Sequence, residues 1–198
     1  MSSVSLREQH ALATRERILG AVADLLEAER AEELTVPAVA EASGVSLRTI
    51  YRYYPTREAL LEAAGRWIGD ELLAHAYPRD LDEVADLYQE GTQDFDERPG
   101  LVRALAFSQL GQHVRGYRRR ERLEAIGQSL RAELTELSEP ELRQAEAVLA
   151  YLHNMLAYTI LREENALAGP EIGKAIGWAI RTLIADLRKR NSDSRRDK

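Results

Sequence analysis

The chain has 198 residues, enough for one large helical domain or two modest ones with a real core. It has no cysteine, which excludes disulfides, thiolate metal sites and cysteine nucleophiles, and no apolar run approaches membrane-spanning length, so a soluble, cytoplasmic protein is expected. Its net charge of −6 argues against a protein that coats nucleic acid broadly, and any DNA contact has to rest on one locally positive face. Ala, Leu, Glu and Arg dominate, strand-type runs are absent, and Gly and Pro fall where helices should end, which predicts an all-α protein of about nine helices.

Residues 1–13 read as a loose arm. From Thr14 to about Arg30, Ile18, Val22, Leu25 and Leu26 form the apolar stripe of a first amphipathic helix, with Arg15 and Arg17 near its start able to reach a phosphate or stand in solvent. The stretch "TVPAVAEASGVSLRTIYRYYPTREALL", Thr35 to Leu61, then packs three helix boundaries into few residues. Thr35 can cap a helix that tolerates Pro37 in its first turn. Gly44 stops that helix where a left-handed residue is needed, and Ser46 caps the next. Val39, Val45 and Ile50 are placed to interlock beneath, with Ala40 small enough for a close crossing. This is a helix-turn-helix.

Its second helix shows what such a unit is for. Ile50 and Tyr54, four apart, face inward; Leu47, Arg48, Tyr51 and Arg52 share the opposite face, where a helix in a major groove presents side chains to base edges. Ser46, Thr49 and Tyr53 lie on the flanks, where hydroxyls meet phosphates, as Thr35 would. Thr56 can cap a third helix with Arg57 at its anion-binding start. Between Ala42 and Arg57 there are three arginines and no acid. The competing account is an ordinary helical hairpin with solvated arginines.

The same stretch, with its "GVS..TIY.Y" core and the "PTREAL" after it, resembles the N-terminal signature of the tetracycline-repressor family over about Thr14 to Ala64. The resemblance implies a dimeric, ligand-released transcriptional repressor on a palindromic operator. Two positions depart from the family pattern: Pro37 stands where a charged or polar residue is common, and Tyr54 where Phe is common.

The third helix of the signature is expected to run on through Trp67 to about Ala76, with Leu60, Ala64, Trp67, Ile68, Glu71 and His75 on one face. After "YPRD" a helix is expected from Leu81 to Glu97, with Leu81, Val84, Tyr88 and Phe95 inward. Residues 80–97 hold eight acids and no base, whereas 98–122 hold seven arginines and one acid. Pairing of that basic run with the acidic helix or with the DNA-binding unit is the simpler account, and a second nucleic-acid patch the other. Leu101, Val102 and Leu105 mark a short helix ending near Gly111; Leu123, Ile126, Leu130, Leu134 and Leu137 mark a longer one. Ser138 with "EPEL" starts a helix expected to reach Ala166. Past Gly169 and Pro170 a final helix carries Ile172, Ile176, Ile180, Leu183 and Leu187 in one stripe, with Gly173 and Gly177 as a smooth strip. Residues 191–198 read as a disordered tail, and the domains as 1–60 and 61–190.

In the resembled family the last two helices of each subunit make a four-helix dimer bundle, which places Leu149, Leu152, Leu156, Gly173, Ile176, Gly177, Ile180 and Leu183 in an interface; burial within one subunit is the alternative. The family architecture also implies a central cavity for a small organic effector. Candidates to line it are Trp67, His75, Tyr88, Phe95, Phe107, His113, Tyr151, Asn154 and Tyr158, with Tyr151, Asn154 and Tyr158 sharing one helix face. The histidines lack metal-site spacing, no phosphate loop or nucleophile elbow occurs, and no cofactor is expected. A helical enzyme or non-DNA sensor with a vestigial helix-turn-helix, or an activator, are the alternatives.

Overall fold

A computed structural model describes residues 5–28, 34–72 and 77–196, and among them the chain is all helical: α1 Leu6–Glu27, α2 Val36–Ser43, α3 Leu47–Tyr53, α4 Arg57–Trp67 with a π-helical turn Ile68–Leu72, α5 Leu81–Glu97, α6 Pro99–Phe107, α7 Gln109–Glu133, α8 Glu139–Leu152, α9 Met155–Asn165 and α10 Gly169–Arg196. None of these helices is long and apolar enough to cross a membrane. The chain divides into two compact units, Met1–Leu72 with Arg98–Tyr117, and Leu73–Glu97 with Arg118–Lys198.

In the first unit α1 begins eight residues earlier than its apolar stripe suggests. Ser5 and Glu8 form a reciprocal capping box, Ser5 Oγ accepting from the Glu8 amide at 3.3 Å and the Ser5 amide donating to Glu8 Oε2 at 2.8 Å. The expected loose arm is therefore helix from Leu6 onward. The core gathers Ile18, Val22 and Leu26 of α1, Val39 of α2, Ile50 of α3, Leu60, Leu61 and Ala64 of α4, and Leu101 and Val102 of α6.

Helix α6 belongs to this unit, well past the boundary at residue 60 drawn from the sequence. Arg98 joins it to the end of α1 by donating to Glu27 and, at 2.9 Å, to Asp24. Gly111 does not end α6. It sits in the first turn of α7, where a Cβ would stand 2.0 Å from the Ala104 carbonyl, so only glycine permits this close crossing of α6 and α7.

In the second unit α10 runs antiparallel to α5. Gly169 N donates to Asp96 Oδ2 at 2.9 Å, Arg181 pairs with Asp86 at 2.6 Å, and Arg188 pairs with Asp82 at 2.9 Å. Asp82, Asp86 and Asp96 of α5 are thus paired with arginines of α9 and α10, while Arg98 of the basic run pairs with α1. The strip of Gly173 and Gly177 lies against α5: a Cβ on Gly173 would reach Thr92 Oγ1 at 2.6 Å, and one on Gly177 would meet Gln89 Oε1 at 3.4 Å. Ile176 and Ile180 are buried in the same chain, as is Leu149, while Leu152, Leu156 and Leu183 are half-buried. The placement of Gly173, Ile176, Gly177 and Ile180 in a dimer interface is corrected accordingly: the small residues admit α5, not a second chain.

Two helix boundaries also differ from expectation. The helix that starts at Ser138 breaks at His153, which takes φ −78° and ψ 54°, and Asn154 caps a new helix by accepting from the Leu156 amide at 3.1 Å. Asn is a strong cap, and here it overrides an otherwise continuous helical pattern. Helix α10 continues to Arg196 instead of fraying at Arg190. Asn191 Oδ1 accepts the Glu136 amide at 2.8 Å, and Arg190–Asp186 and Arg196–Asp193 pairs support the extra turns. Replacing Gly177 with Glu is expected to lower the thermal midpoint of folding at every protein concentration, as a carboxylate forced against α5 would. Unfolding curves at several concentrations check this; a stable variant altered only in assembly would return Gly177 to an interface.

Candidate nucleic-acid interface

The helix-turn-helix is built by two side-chain caps, one left-handed glycine and a clasp from α1. Thr35 caps α2, its hydroxyl accepting from the Ala38 amide at 3.3 Å. Gly44 takes φ 64° and ψ 23°, the left-handed conformation that glycine adopts without a Cβ penalty. Arg17 of α1 donates to the Ser43 carbonyl at 2.7 Å, satisfying an α2 carbonyl that the helix leaves free. Ser46 then caps α3, accepting from the Thr49 amide at 3.3 Å and bonding the Thr49 hydroxyl at 2.9 Å. Arg17 is therefore a clasp on the turn rather than a phosphate contact.

On α3 only Ile50 is buried, at 0% exposure. Leu47 and Tyr51 are 42% and 48% exposed, and Arg48 and Arg52 are exposed beside them, so the face assigned to base edges faces solvent. Thr49 and Tyr53 are half-buried at its flanks, and Ser46 is exposed. Tyr54 ends the helix nearly buried; burial raises its phenol above the ordinary value, with the charge of Arg15 acting the other way. Leu47 and Tyr51 thus form an exposed apolar pair on one turn, a surface suited to contact with a thymine methyl in a major groove.

Two flank residues also make contacts within the protein. Arg57 stands at the start of α4, which Thr56 caps by accepting from Ala59 N at 3.1 Å, but its Nε and Nη2 reach the Leu34 carbonyl at 3.4 and 3.3 Å. That ties α4 to the residue preceding the α2 cap. Arg15 of α1, expected either to reach a phosphate or to stand in solvent, has its guanidinium 5.2 Å from the centre of the Tyr53 ring. No local pattern announces this, because the two residues are 38 positions apart.

The effector candidates divide between the units. Trp67, half-buried, lies over Gly20 of α1, and Phe107 is 41% exposed with Arg103 above its ring; His113 is in the same unit. His75 lies outside the described residues. In the second unit Tyr88, Phe95, Asn154 and Tyr158 do come together. Phe95 and Tyr158 meet edge to face at 5.1 Å, Tyr88 donates to the Asn154 carbonyl at 3.4 Å, and Tyr158 donates to Asp96 Oδ1 at 2.6 Å, where Arg162 also binds. Burial, then the Asp96 carboxylate, pushes the Tyr158 phenol up, with Arg162 opposing. Tyr151 does not join them: the break at His153 turns it outward, 60% exposed, so the expected trio on one helix face does not form.

This arrangement matches known proteins. The family model for bacterial regulatory proteins, tetR family, matches residues 18–64. A nucleoid occlusion factor SlmA of Vibrio atlanticus is 32% identical over 142 residues, 67% of this chain and 71% of that protein. The chain belongs to the tetR family of bacterial regulatory proteins. A SlmA of Vibrio vulnificus is 29% identical over 183 residues, covering 88% of this chain and 86% of its own. A tetR-family transcriptional regulator from Streptomyces coelicolor shares the fold, with TM-score 0.58 at 18% identity over 92% of this chain and 89% of that one. TetR-family regulators bind DNA and act as dimers, and the matched residues 18–64 contain the helix-turn-helix with its exposed α3 face.

The burial pattern makes Ile50→Ala and Leu47→Ala a contrasting pair. The first should cost about 2–5 kcal/mol of stability, as buried Ile truncations do, and the second within about 0.5 kcal/mol. Denaturant unfolding of both variants checks this, and equal costs would mean that α3 does not sit as described.

Proposed function

We propose that this regulator is a cytoplasmic homodimer that binds a palindromic operator through its two α3 helices, represses the promoter beside it, and is released by a small organic effector. The observation that carries the reading is the single inward side chain of α3, with Leu47, Arg48, Tyr51 and Arg52 left outward. Arg48 is the base reader, a role suited to bidentate bonds to guanine. Repression and effector binding are typical of the family.

For the dimer, support comes from the apolar side chains that remain outside once Gly173 and Gly177 are covered. Val148 and Tyr151 of α8 and Trp178 of α10 are 47%, 60% and 70% exposed. A groove of about 230 Å³ between the two helices is lined by Val148, Leu149, Leu183 and Leu187 with polar neighbours. A second copy set on α8 and α10 would cover these groups. Trp178→Glu is then expected to yield folded monomers by light scattering that lose specific operator binding, because half-sites are read about 34–36 Å apart. A dimeric Trp178→Glu would move the interface elsewhere.

A second reading is favoured by the relatives. The Vibrio proteins are named nucleoid occlusion factors, and the match to one runs over 86% of its length, well beyond the helix-turn-helix. Under that reading the bound sites are many and spread along the chromosome; under the first they are few and lie at promoters. Mapping bound sites in cells separates the two.

The test of the reading itself uses DNA from upstream of the chain's own coding sequence. Arg48→Ala is expected to weaken operator binding by about 1–3 kcal/mol per half-site and to flatten discrimination at one base pair. Unchanged discrimination would show that Arg48 does not read bases.

A further inference from the structure

We propose that Arg15, Arg52 and Tyr53 form one backbone-phosphate clamp, so that Arg52 grips the DNA backbone with α1 and does not read a base. The inference rests on the DNA-binding reading above and deepens it: it divides the outward face of α3 into Leu47, Arg48 and Tyr51, which address bases, and Arg52, which does not.

The geometry is specific. The Arg15 guanidinium lies 5.2 Å and the Arg52 guanidinium 5.1 Å from the centre of the same Tyr53 ring. Two guanidiniums drawn to one aromatic ring gain cation–π attraction but repel each other. Among the described residues neither has an acidic partner within 4 Å, in contrast to Arg66, Arg131, Arg181 and Arg188, though in common with Arg48 and Arg143. The two guanidiniums thus share one half-buried ring, among the described residues without an acidic counter-ion within 4 Å.

An anion with several acceptor oxygens completes it. A phosphodiester offers acceptor oxygens to both guanidiniums and to a phenol hydroxyl, the donor groups these three side chains carry. The clamp joins α1 to α3, so the phosphate it holds also fixes the angle at which the reading helix enters the groove. Sequence reasoning placed Arg52 with Arg48 because both lie on the outward face; lateral contact with Tyr53 is what separates them.

The experiment measures operator and non-specific DNA affinity from 50 to 200 mM salt for the full-length wild type, Arg15→Ala, Arg52→Ala, Arg52→Lys and, as control, Arg48→Ala, with melting curves confirming each fold. Each clamp variant to Ala should lose about one unit of salt slope, so its deficit relative to wild type shrinks about 3- to 4-fold across that range. It should weaken operator and non-specific DNA by similar factors, leaving base discrimination intact, and Arg52→Lys should keep most of the slope. Loss of discrimination at one base pair in Arg52→Ala, with the salt slope unchanged, would overturn the proposal and return Arg52 to the base readers. An unchanged Arg15→Ala would overturn the part of α1. A wild type without salt-dependent binding to any DNA would instead remove the DNA-binding reading beneath it.

Discussion

A seven-residue helix does not hold itself in water, because its nucleation cost is repaid only over longer runs. Helix α3 nevertheless stands with only Ile50 buried. That one fully buried side chain anchors the helix, whose packing is chiefly on α2, and the left-handed Gly44 and the Ser46 cap fix where it starts. The constraint explains the rest of the unit. Because α3 contributes so little to the core, α1, α2, α4 and α6 must supply it, and Arg98 and Gly111 serve to bring α6 into that role. The arrangement leaves nearly all of α3 free for function.

Charge is unevenly distributed along the chain. A protein of net charge −6 has to keep its acids away from a DNA phosphate. The acid-rich helix α5 lies in the second unit, with Asp82, Asp86 and Asp96 paired to Arg188, Arg181 and Arg162. In α3 and the turn before it there is no acid at all, and Arg15 is added from α1. Exposed pairs of this kind contribute little stability each; here they offset three carboxylates of α5, Asp82, Asp86 and Asp96.

Helix ends were legible in the sequence wherever a cap is a local event. Thr35, Gly44, Ser46, Thr56 and Ser138 each act as caps, and α5 spans the expected Leu81 to Glu97. The cap at Ser5 obeys the same chemistry and was hidden only by the weak apolar pattern after it. The outward and inward faces of α3 were legible because a helix fixes them by period alone. What was not legible depends on partners far along the chain. A small-residue strip such as Gly173 and Gly177 says that something approaches closely, not that α5 does. Tyr158 looks like a pocket wall until Asp96, 62 residues away, takes its hydroxyl. Arg15, Arg17, Arg52 and Arg57 are alike in sequence, and only the fold assigns one to a turn carbonyl, one to Leu34 and two to a shared ring.

The central claim is that α3, presented twice by a dimer, is what touches DNA. Hydroxyl-radical footprinting of the full-length protein on the DNA upstream of its own coding sequence tests it most directly. The account predicts two protected stretches on one face of the duplex, related by a two-fold axis and centred about 34–36 Å apart, that fade together as salt rises. Protection of a single stretch, or none at any salt concentration, would contradict it.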